Sequence, residues 1–278
     1  MPYADLHMHT DYSDGVHTIE EVVSLARQKG IHTIAITDHD TVFHYEQVKA
    51  VCQNQGMETI RGVEMSCYDF NVLKKVHIVG LWLNDNPVHV EALCQKTLSC
   101  RDAYHHKQIE QMAQKGLAIT YEDAKKYAPH NIVFKMHIFR ALCEKYPEYR
   151  EPQKYRQLFA GKTGREIDLQ MGYIDIKEGI EAIITDGGIP VLAHPCEYGN
   201  YEEIPKYVSY GLRGIERSHP SMKEEDYRLT REFARTYHLL ESGGSDFHSE
   251  ALTAMGEFGV TQGQFAALKA GRGKTALH

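Results

Sequence analysis

The sequence has few of the features that mark secreted, membrane-spanning or disordered proteins. Its six cysteines form no CxxC pair and no zinc-ribbon spacing, so we expect reduced thiols. No apolar run approaches the roughly 18–20 residues of a membrane span, and the first residues do not resemble a secretory signal. These absences predict a cytoplasmic protein with no membrane partner.

The sequence also has fewer basic residues than acidic ones. The chain has 31 Lys and Arg against 38 Asp and Glu, which gives a formal net charge of −7 over 278 residues. Such a balance predicts that the chain does not bind duplex nucleic acid through a general basic surface. Nothing in the sequence implies an obligate protein partner.

Short apolar segments alternate with helical patterns at both ends of the chain. Strands are predicted at Tyr3–His9, Thr33–Asp38, Thr59–Met65, Val76–Leu83, Pro190–Ala193, Gly214–Arg217 and Leu239–Gly243. Strands separated by helices at this spacing predict an α/β fold of parallel βαβ units that close into a barrel. Residues 1–87 and 171–278 would form this barrel. Residues 88–170, which are helical in period, would form an inserted helical domain that acts as a substrate lid.

Histidine and carboxylate residues recur at alternate positions. His7 and His9 fall on one face of the first predicted strand, and Asp246 and His248 repeat this spacing just past the last one. Two imidazoles that face the same space suit two ligands of one metal. Two ordinary core histidines would give the same pattern, so the first pair alone does not decide between these interpretations.

Other residues of the ligand type lie within, end or follow most of the predicted strands. They are Asp14, His39, Glu64, His77 and His194. In a parallel barrel the carboxyl ends of the strands meet at one face, where active sites lie. Such side chains are costly to bury without partners, and metal coordination would satisfy them. The distribution therefore predicts a metal site at this face.

Six blocks in the order DLHMHTDYSDG, ITDHDT, RGVEMSC, VHIVGLWL, VLAHP and GGSDFH resemble the PHP (polymerase and histidinol phosphatase) superfamily. They are most similar to its stand-alone phosphoesterases that act on nucleotides. The resemblance implies a distorted (β/α)7 barrel that carries the inserted helices.

The resemblance also implies nine metal ligands in three groups. They are His7, His9, Glu64 and Asp246 for the first ion; Glu64, His77 and His194 for the second; and Asp14, His39 and His248 for the third. Imidazole and carboxylate ligands suit two to three divalent ions of manganese, iron or zinc, and the sequence does not choose among these metals.

A cluster of this kind implies phosphoester hydrolysis. Divalent ions activate water as hydroxide and neutralise phosphate oxygens, so no protein nucleophile is needed. Indeed, the sequence has no GxSxG elbow and no Walker A loop. The predicted substrate is a small phosphomonoester, such as a nucleoside 3′,5′-bisphosphate or the 5′ end of a short oligonucleotide. The alternatives are a histidinol-phosphate phosphatase and a non-catalytic, metal-stabilised regulatory module.

Basic residues near this face are the candidates for substrate binding, although for any single one of them a solvated side chain is the simpler interpretation. They are Lys135, His137, Arg140, Lys162, Arg165 and Arg217, and His219 is a candidate general acid. Two residues depart from the resemblance. Lys135 stands where an Arg is usual, and Glu197 stands where the family often has an Arg near the phosphate. A carboxylate there would repel a phosphate group.

Local capping signals complete the sequence pattern. Thr18 and Glu21 predict a capping box at the start of a helix that ends at Gly30. Asp40 and Thr41 would cap the next helix. Asp5 and Asp38 would either orient neighbouring imidazoles or cap the ends of elements.

Overall fold

Residues 1–159 and 170–272 are described by the computed structural model of the chain. The strands are β1 (Ala4–Met8), β2 (Thr33–Ile36), β3 (Glu58–Thr59), β4 (Gly62–Asp69), β5 (Lys74–Leu81), β6 (Ile174–Asp175), β7 (Ile189–Leu192), β8 (Gly214–Glu216) and β9 (Leu240–Ser242). The helices are α1 (Ile19–Gln28), α2 (Tyr45–Asn54), α3 (Val88–Gln114), α4 (Tyr121–Lys125), α5 (Lys135–Lys145), α6 (Pro152–Phe159), α7 (Ile176–Thr185), α8 (Pro195–Tyr198), α9 (Ile204–Ser209), α10 (Glu224–Thr236) and α11 (Gln262–Gly271).

These strands form two sheets that are joined at both sides. The first sheet has the order β1-β2-β3 and the second has the order β6-β4-β5-β7-β8-β9. Met8 of β1 pairs with Phe247 just past β9, and His39 just past β2 pairs with Glu64 of β4. Backbone bridges therefore connect β1, β2, β4, β5, β7, β8 and β9 in a closed circuit. The predicted α/β fold class is confirmed.

Strand β5 runs opposite to its neighbours. It pairs antiparallel with both β4 and β7, and only residues 70–73 separate it from β4. The prediction of parallel pairing is wrong for this strand, because so short a connection leaves no room for a crossover helix. Within this strand, His77 lies in the middle rather than at a carboxyl end.

The start of α1 is confirmed and that of α2 is not. Thr18 Oγ1 accepts the N–H of Glu21, and the Glu21 carboxylate accepts the N–H of Thr18, which is the predicted capping box. Helix α2 begins only at Tyr45, too late for a cap by Asp40. Asp40 Oδ1 accepts the N–H of Ser66 in β4 instead.

Helix α3 links two packing regions. Near its start, Val90 and Cys94 belong to a hydrophobic cluster with Ile180 of α7. Further along, Ile109 joins a separate cluster that includes Leu142 of α5. The second cluster lies wholly within residues 88–170, whereas the start of α3 packs with residues from outside this segment. The division at residue 88 stays a prediction. None of the helices in the described part of the chain is both long and apolar enough to cross a bilayer.

Candidate metal centre

Glu64 of β4 lies at the middle of the predicted ligands. Its side chain is 1% exposed. Five imidazole nitrogens surround the carboxylate: His7 Nε2 at 3.1 Å, His9 Nε2 at 3.2 Å and His39 Nδ1 at 3.2 Å from Oε2, and His77 Nδ1 at 2.7 Å and His194 Nε2 at 2.9 Å from Oε1. Residues that are far apart in the sequence therefore converge on one carboxylate.

The other two carboxylates extend this cluster. Asp246 Oδ1 lies 3.1 Å from His9 Nε2, and Asp14 Oδ1 lies 3.2 Å from His248 Nε2. The ligand atoms form overlapping groups in which all atoms lie within 4.8 Å of one another: His7, His9, Glu64 and Asp246; His9, Asp14, His39 and His248; and His39, Glu64 and His77. The structure thus brings all nine predicted ligands together.

Two of the imidazoles are oriented by hydrogen bonds on the side that faces away from the cluster. His7 Nδ1 lies 2.8 Å from Glu216 Oε1, and His248 Nδ1 lies 2.8 Å from the carbonyl oxygen of Asp246. Because each Nδ1 faces an acceptor, it carries the proton, and Nε2 presents its lone pair to the cluster. Metal-binding imidazoles have this arrangement in most proteins.

His9 is held through a hydroxyl. Ser13 Oγ donates to Asp38 Oδ1 at 2.6 Å and lies 3.3 Å from His9 Nδ1, so its oxygen can accept that N–H. Asp38 therefore orients an imidazole through Ser13. Asp5 contacts backbone rather than imidazole, since it accepts the N–H of Ser245 at 3.0 Å.

Several atoms at the centre are buried without hydrogen bonds. His7 Nε2, His9 Nε2, His39 Nδ1 and Glu64 Oε2 have no such partner of suitable geometry in the described part of the chain. Buried polar atoms without partners are destabilising, and divalent cations between them would satisfy all four. The donor types suit manganese, iron or zinc. The residues present therefore fit a divalent metal centre.

The carboxylates of the cluster are held in the ionised state. Burial alone would raise the pKa of Glu64, but the imidazoles of His39 and His7 outweigh this effect and hold the pKa well below its usual range. Burial likewise opposes the ionisation of Asp246, and His7 leads the groups that lower its pKa. Burial lowers the pKa of His39 to about 4. Ionised Glu64 and Asp246 and neutral His39 are the protonation states that bind cations. His194 differs: burial opposes its protonation, but the Glu64 carboxylate outweighs this effect and raises the pKa of His194 to about 9. A cation bound there would have to displace that proton.

The backbone is adapted to bring these side chains together. A Cβ atom on Gly244 would lie 2.4 Å from the Cβ of His7, so the chain past β9 can approach β1 this closely only because residue 244 is glycine. His194 has a φ of 23° and Asp246 a φ of 48°. Positive φ values cost free energy in non-glycine residues and often occur at functional sites.

A cavity of about 150 Å³ opens at the cluster. Asp14, His39 and His77 line one side of it. The remaining wall includes three cationic and four aromatic side chains: Lys75, Arg101, Lys135, Phe134, Tyr155, Tyr173 and Tyr198. Lys135 is thus a predicted substrate residue that reaches the cavity.

Arg217 does not line this cavity. Its Nη1 lies 2.5 Å from Glu241 Oε1, and alternation along the chain turns it away from the neighbouring Glu216, which faces the cluster. Of the predicted substrate residues, Lys162 and Arg165 lie outside the described residues.

The remaining basic candidates on α5 serve local structure. His137 is 1% exposed, and its Nδ1 accepts the N–H of Phe134 at the start of the helix. The Arg140 guanidinium lies over the ring of Tyr127 at 4.4 Å. Neither residue lines the cavity.

His219 and Glu197 lie beside Asp246. Because His219 Nδ1 accepts the N–H of Ser221, Nε2 carries the proton and donates to Asp246 Oδ2 at 3.3 Å. Ligand atoms of Glu197, His219 and Asp246 lie within 4.8 Å of one another. Glu197 thus places negative charge next to the cluster. The general-acid role of His219 stays a prediction.

Glu216 of β8 is the functional residue that the sequence analysis missed. It is 1% exposed; its Oε1 accepts from His7 Nδ1, and its Oε2 accepts the N–H of His194 at 2.7 Å. The sequence did contain a signal for Glu216. A carboxylate within a short buried strand costs free energy unless it has partners, so such a residue is expected to contact other polar groups.

We expect Glu216→Gln to weaken metal binding about 10- to 100-fold, because the amide no longer offers His7 a charged acceptor and can favour the wrong imidazole tautomer. Calorimetric titration of the metal-free protein with manganese or zinc measures this. Glu241→Gln is a matched control, since Glu241 pairs with Arg217 away from the cluster. Equal metal affinity in Glu216→Gln and the wild type would contradict the orienting role.

Known proteins with similar sequences include several enzymes that act on phosphate esters. Residues 5–160 match the family described as PHP domain. A phosphoribosyl 1,2-cyclic phosphate 1,2-diphosphodiesterase of Eggerthella lenta is 35% identical, over 88% of this chain and 94% of that protein. The 5′-3′ exoribonuclease Rnm of Escherichia coli is 31% identical, over 88% and 84%. A 3′,5′-nucleoside bisphosphate phosphatase of Chromobacterium violaceum is 25% identical, over 90% and 88%.

Two solved structures share the fold. A proposed metal-dependent phosphoesterase of Bifidobacterium adolescentis has a TM-score of 0.84 at 24% identity, over 96% of this chain and 95% of that one. A protein of Chromobacterium violaceum described as an amidohydrolase with bound sulfate has a TM-score of 0.85 at 23% identity, over 99% and 98%. From the matched family and its relatives, the chain belongs to the PHP domain family and is a metal-dependent phosphoesterase.

Proposed function

We propose that the chain hydrolyses an ester of a small ribose phosphate or nucleotide that carries a second phosphate group, such as a nucleoside 3′,5′-bisphosphate. The observation that carries this proposal is the cavity, which has cluster residues on one side and Lys75, Arg101 and Lys135 in its remaining wall. Two relatives support it, since the substrates in their names, a phosphoribosyl cyclic phosphate and a nucleoside bisphosphate, each have two phosphate groups.

Three ligand sets, of which the first two share Glu64, would hold two to three divalent ions of manganese, iron or zinc. They are His7, His9, Glu64 and Asp246; Glu64, His77 and His194; and Asp14, His39 and His248. When bound, such ions lower the pKa of coordinated water and neutralise charge on phosphate oxygens. Glu216 keeps the Nε2 lone pair of His7 directed at the ions, and His219 holds a proton at Nε2 beside Asp246.

The helical segment supplies much of the substrate side of the cavity. Arg101 comes from α3, Lys135 from α5 and Tyr155 from α6. Cationic groups there would bind the second phosphate, and the aromatic side chains would exclude water from the reacting ester. We therefore propose that residues 88–170 act as the substrate lid of this enzyme.

A substrate panel tests the proposal. Protein loaded with manganese, iron or zinc is assayed with a nucleoside 3′,5′-bisphosphate, phosphoribosyl 1,2-cyclic phosphate, a 5′-phosphorylated oligoribonucleotide, histidinol phosphate and a nucleoside monophosphate. We expect kcat/KM to be about tenfold or more higher for compounds with a second phosphate than for the nucleoside monophosphate. Preferred turnover of histidinol phosphate would overturn the substrate assignment.

Replacement of Lys135 separates binding of the second phosphate from chemistry. Lys135→Met should raise KM for the preferred two-phosphate substrate about tenfold or more with little change in kcat, because a charge-assisted contact remote from the reacting ester is lost. The KM for the nucleoside monophosphate should change far less. Lys107→Met, on the exposed side of α3, is the control. Equal losses for both substrates would contradict this role.

A further inference from the structure

A second and larger cavity lies at the other end of the strands. Its volume is about 440 Å³, and its walls come from α2, α11, residues 57–61 and residues 82–85. Leu81, at the end of β5, pairs with Ile189 at the start of β7, whereas His194 of the metal centre follows the end of β7. The cavity therefore lies near the amino ends of the parallel strands, away from the cluster.

The charge of this cavity is opposite to that of the whole protein. Its cationic lining residues are Lys49, Arg61, Lys269 and Arg272, against the acidic Glu58 and Asp85. The chain as a whole has a net charge of −7. A local excess of cations in a concave site of an acidic protein favours an anionic ligand.

Two buried polar atoms in the wall have no partner in the described ranges. They are Arg61 Nε and Thr59 Oγ1. Arg61 is 7% exposed; its Nη2 donates to Glu46 at 3.0 Å, and its guanidinium lies over the Tyr45 ring at 4.3 Å. The guanidinium is thus fixed in place, while its buried Nε–H has no acceptor. A phosphate oxygen is the acceptor that suits such a donor best.

Aromatic side chains form another part of the wall. Trp82, the only tryptophan, lies 5.5 Å from Phe265 between ring centroids. Its φ of 58° is in the left-handed region, where a bulky residue is strained, and such strain often occurs at binding sites. Tyr45 is half-buried and contributes a third ring, one face of which is covered by the Arg61 guanidinium. Planar groups of this kind stack on aromatic bases.

We propose that this cavity binds a phosphorylated ligand with an aromatic ring, of which a nucleoside monophosphate is the simplest, at a site separate from the phosphoesterase centre. The phosphate contacts Arg61 and the neighbouring lysines, and the ring lies against the aromatic wall. This site is independent of the substrate proposed above, because it shares no lining residue with the cavity at the metal cluster.

Fluorescence of Trp82 reports on this cavity directly, since no other tryptophan contributes. The metal-loaded protein is titrated with the phosphonate analogue of adenosine monophosphate, which has no ester bond to hydrolyse, and with adenosine. We expect a saturable fluorescence change with the phosphonate and a Kd about tenfold or more weaker for adenosine. The double variant Lys49→Ala/Lys269→Ala should weaken phosphonate binding by a similar factor. Both lysines are exposed, so folding should be preserved.

The matched control is Lys96→Ala/Lys107→Ala, which removes two exposed lysines from α3 and should leave phosphonate binding unchanged. Phosphoesterase activity should be retained in both double variants, so failure of this site is distinguishable from failure of the enzyme assignment. The proposal is overturned by the absence of a saturable change, by equal affinity for adenosine and the phosphonate, or by unchanged binding in the Lys49→Ala/Lys269→Ala variant.

Discussion

Glu64→Gln is expected to lower kcat/KM about a thousandfold or more, because metal assistance contributes several kcal/mol to such reactions and each 1.4 kcal/mol is about tenfold in rate. Both oxygens of Glu64 lie among imidazole nitrogens, at 2.7 Å from His77 and 3.1 Å from His7. The amide keeps the shape of the side chain but removes its charge and one of its two acceptor oxygens. Two of the three proposed ions would lose a shared ligand.

Metal content and thermal stability identify the cause of this loss. Elemental analysis should show fewer bound ions in Glu64→Gln, and the increase in Tm on metal addition should be smaller than in the wild type. The matched control is Glu203→Gln, which removes another buried carboxylate, one that pairs with Lys74. Wild-type metal content together with wild-type activity in Glu64→Gln would contradict the central role of this residue.

The sequence was informative where local rules decide the structure. Alternation along a strand placed the imidazoles of His7 and His9 on one side, and their rings do lie close together, at 5.3 Å between centroids. The capping box at Thr18 and Glu21 is likewise a local hydrogen-bond pattern, so it is readable from residue types and spacing alone.

Alternation also separates the two charged residues around the end of β8. Arg217 is a predicted substrate residue, whereas no role is predicted for its neighbour Glu216. Consecutive residues of a strand face opposite sides, so only one of the two can reach the cluster, and the buried one is Glu216. The lone carboxylate in a short apolar strand was the better signal.

Strand direction and the cavity wall depend on tertiary structure. The direction of β5 follows from the short connection between β4 and β5, which is visible in the sequence. Parallel pairing was nevertheless predicted, because helical segments separate the other strands. Lys75 and Arg101 line the cavity at the cluster although no motif marks them. Their placement depends on how α3 and β5 pack against each other, and this packing cannot be deduced from the spacing of residues along the chain.

Arg101 of α3 joins the helical segment to the strands by a buried ion pair. Its Nη2 donates to Asp40 Oδ2 and Ser66 Oγ, both at 2.7 Å, and its guanidinium lies over the Phe134 ring at 4.8 Å. Asp40 is fully buried. Removal of a cation from such a pair leaves an uncompensated charge in the protein interior, which is more destabilising than loss of the pair as a whole.

Arg101→Met should therefore lower the free energy of unfolding by about 3–5 kcal/mol. The methionine fills part of the volume against Phe134, so most of the loss comes from the Asp40 carboxylate and the Ser66 hydroxyl. Urea denaturation followed by circular dichroism, with metal ions chelated in all samples, measures the difference without a contribution from metal binding.

Two further variants separate charge from packing. Asp40→Asn in the Arg101→Met background removes the uncompensated charge, so the double variant should be more stable than Arg101→Met alone. Arg228→Met removes an exposed pair with Glu225, which solvent screens, and should change stability far less than Arg101→Met. If Arg101→Met were no more destabilising than Arg228→Met, the buried pair would not be what holds α3 against β4. A double variant less stable than Arg101→Met would show that the Asp40 charge is satisfied without Arg101.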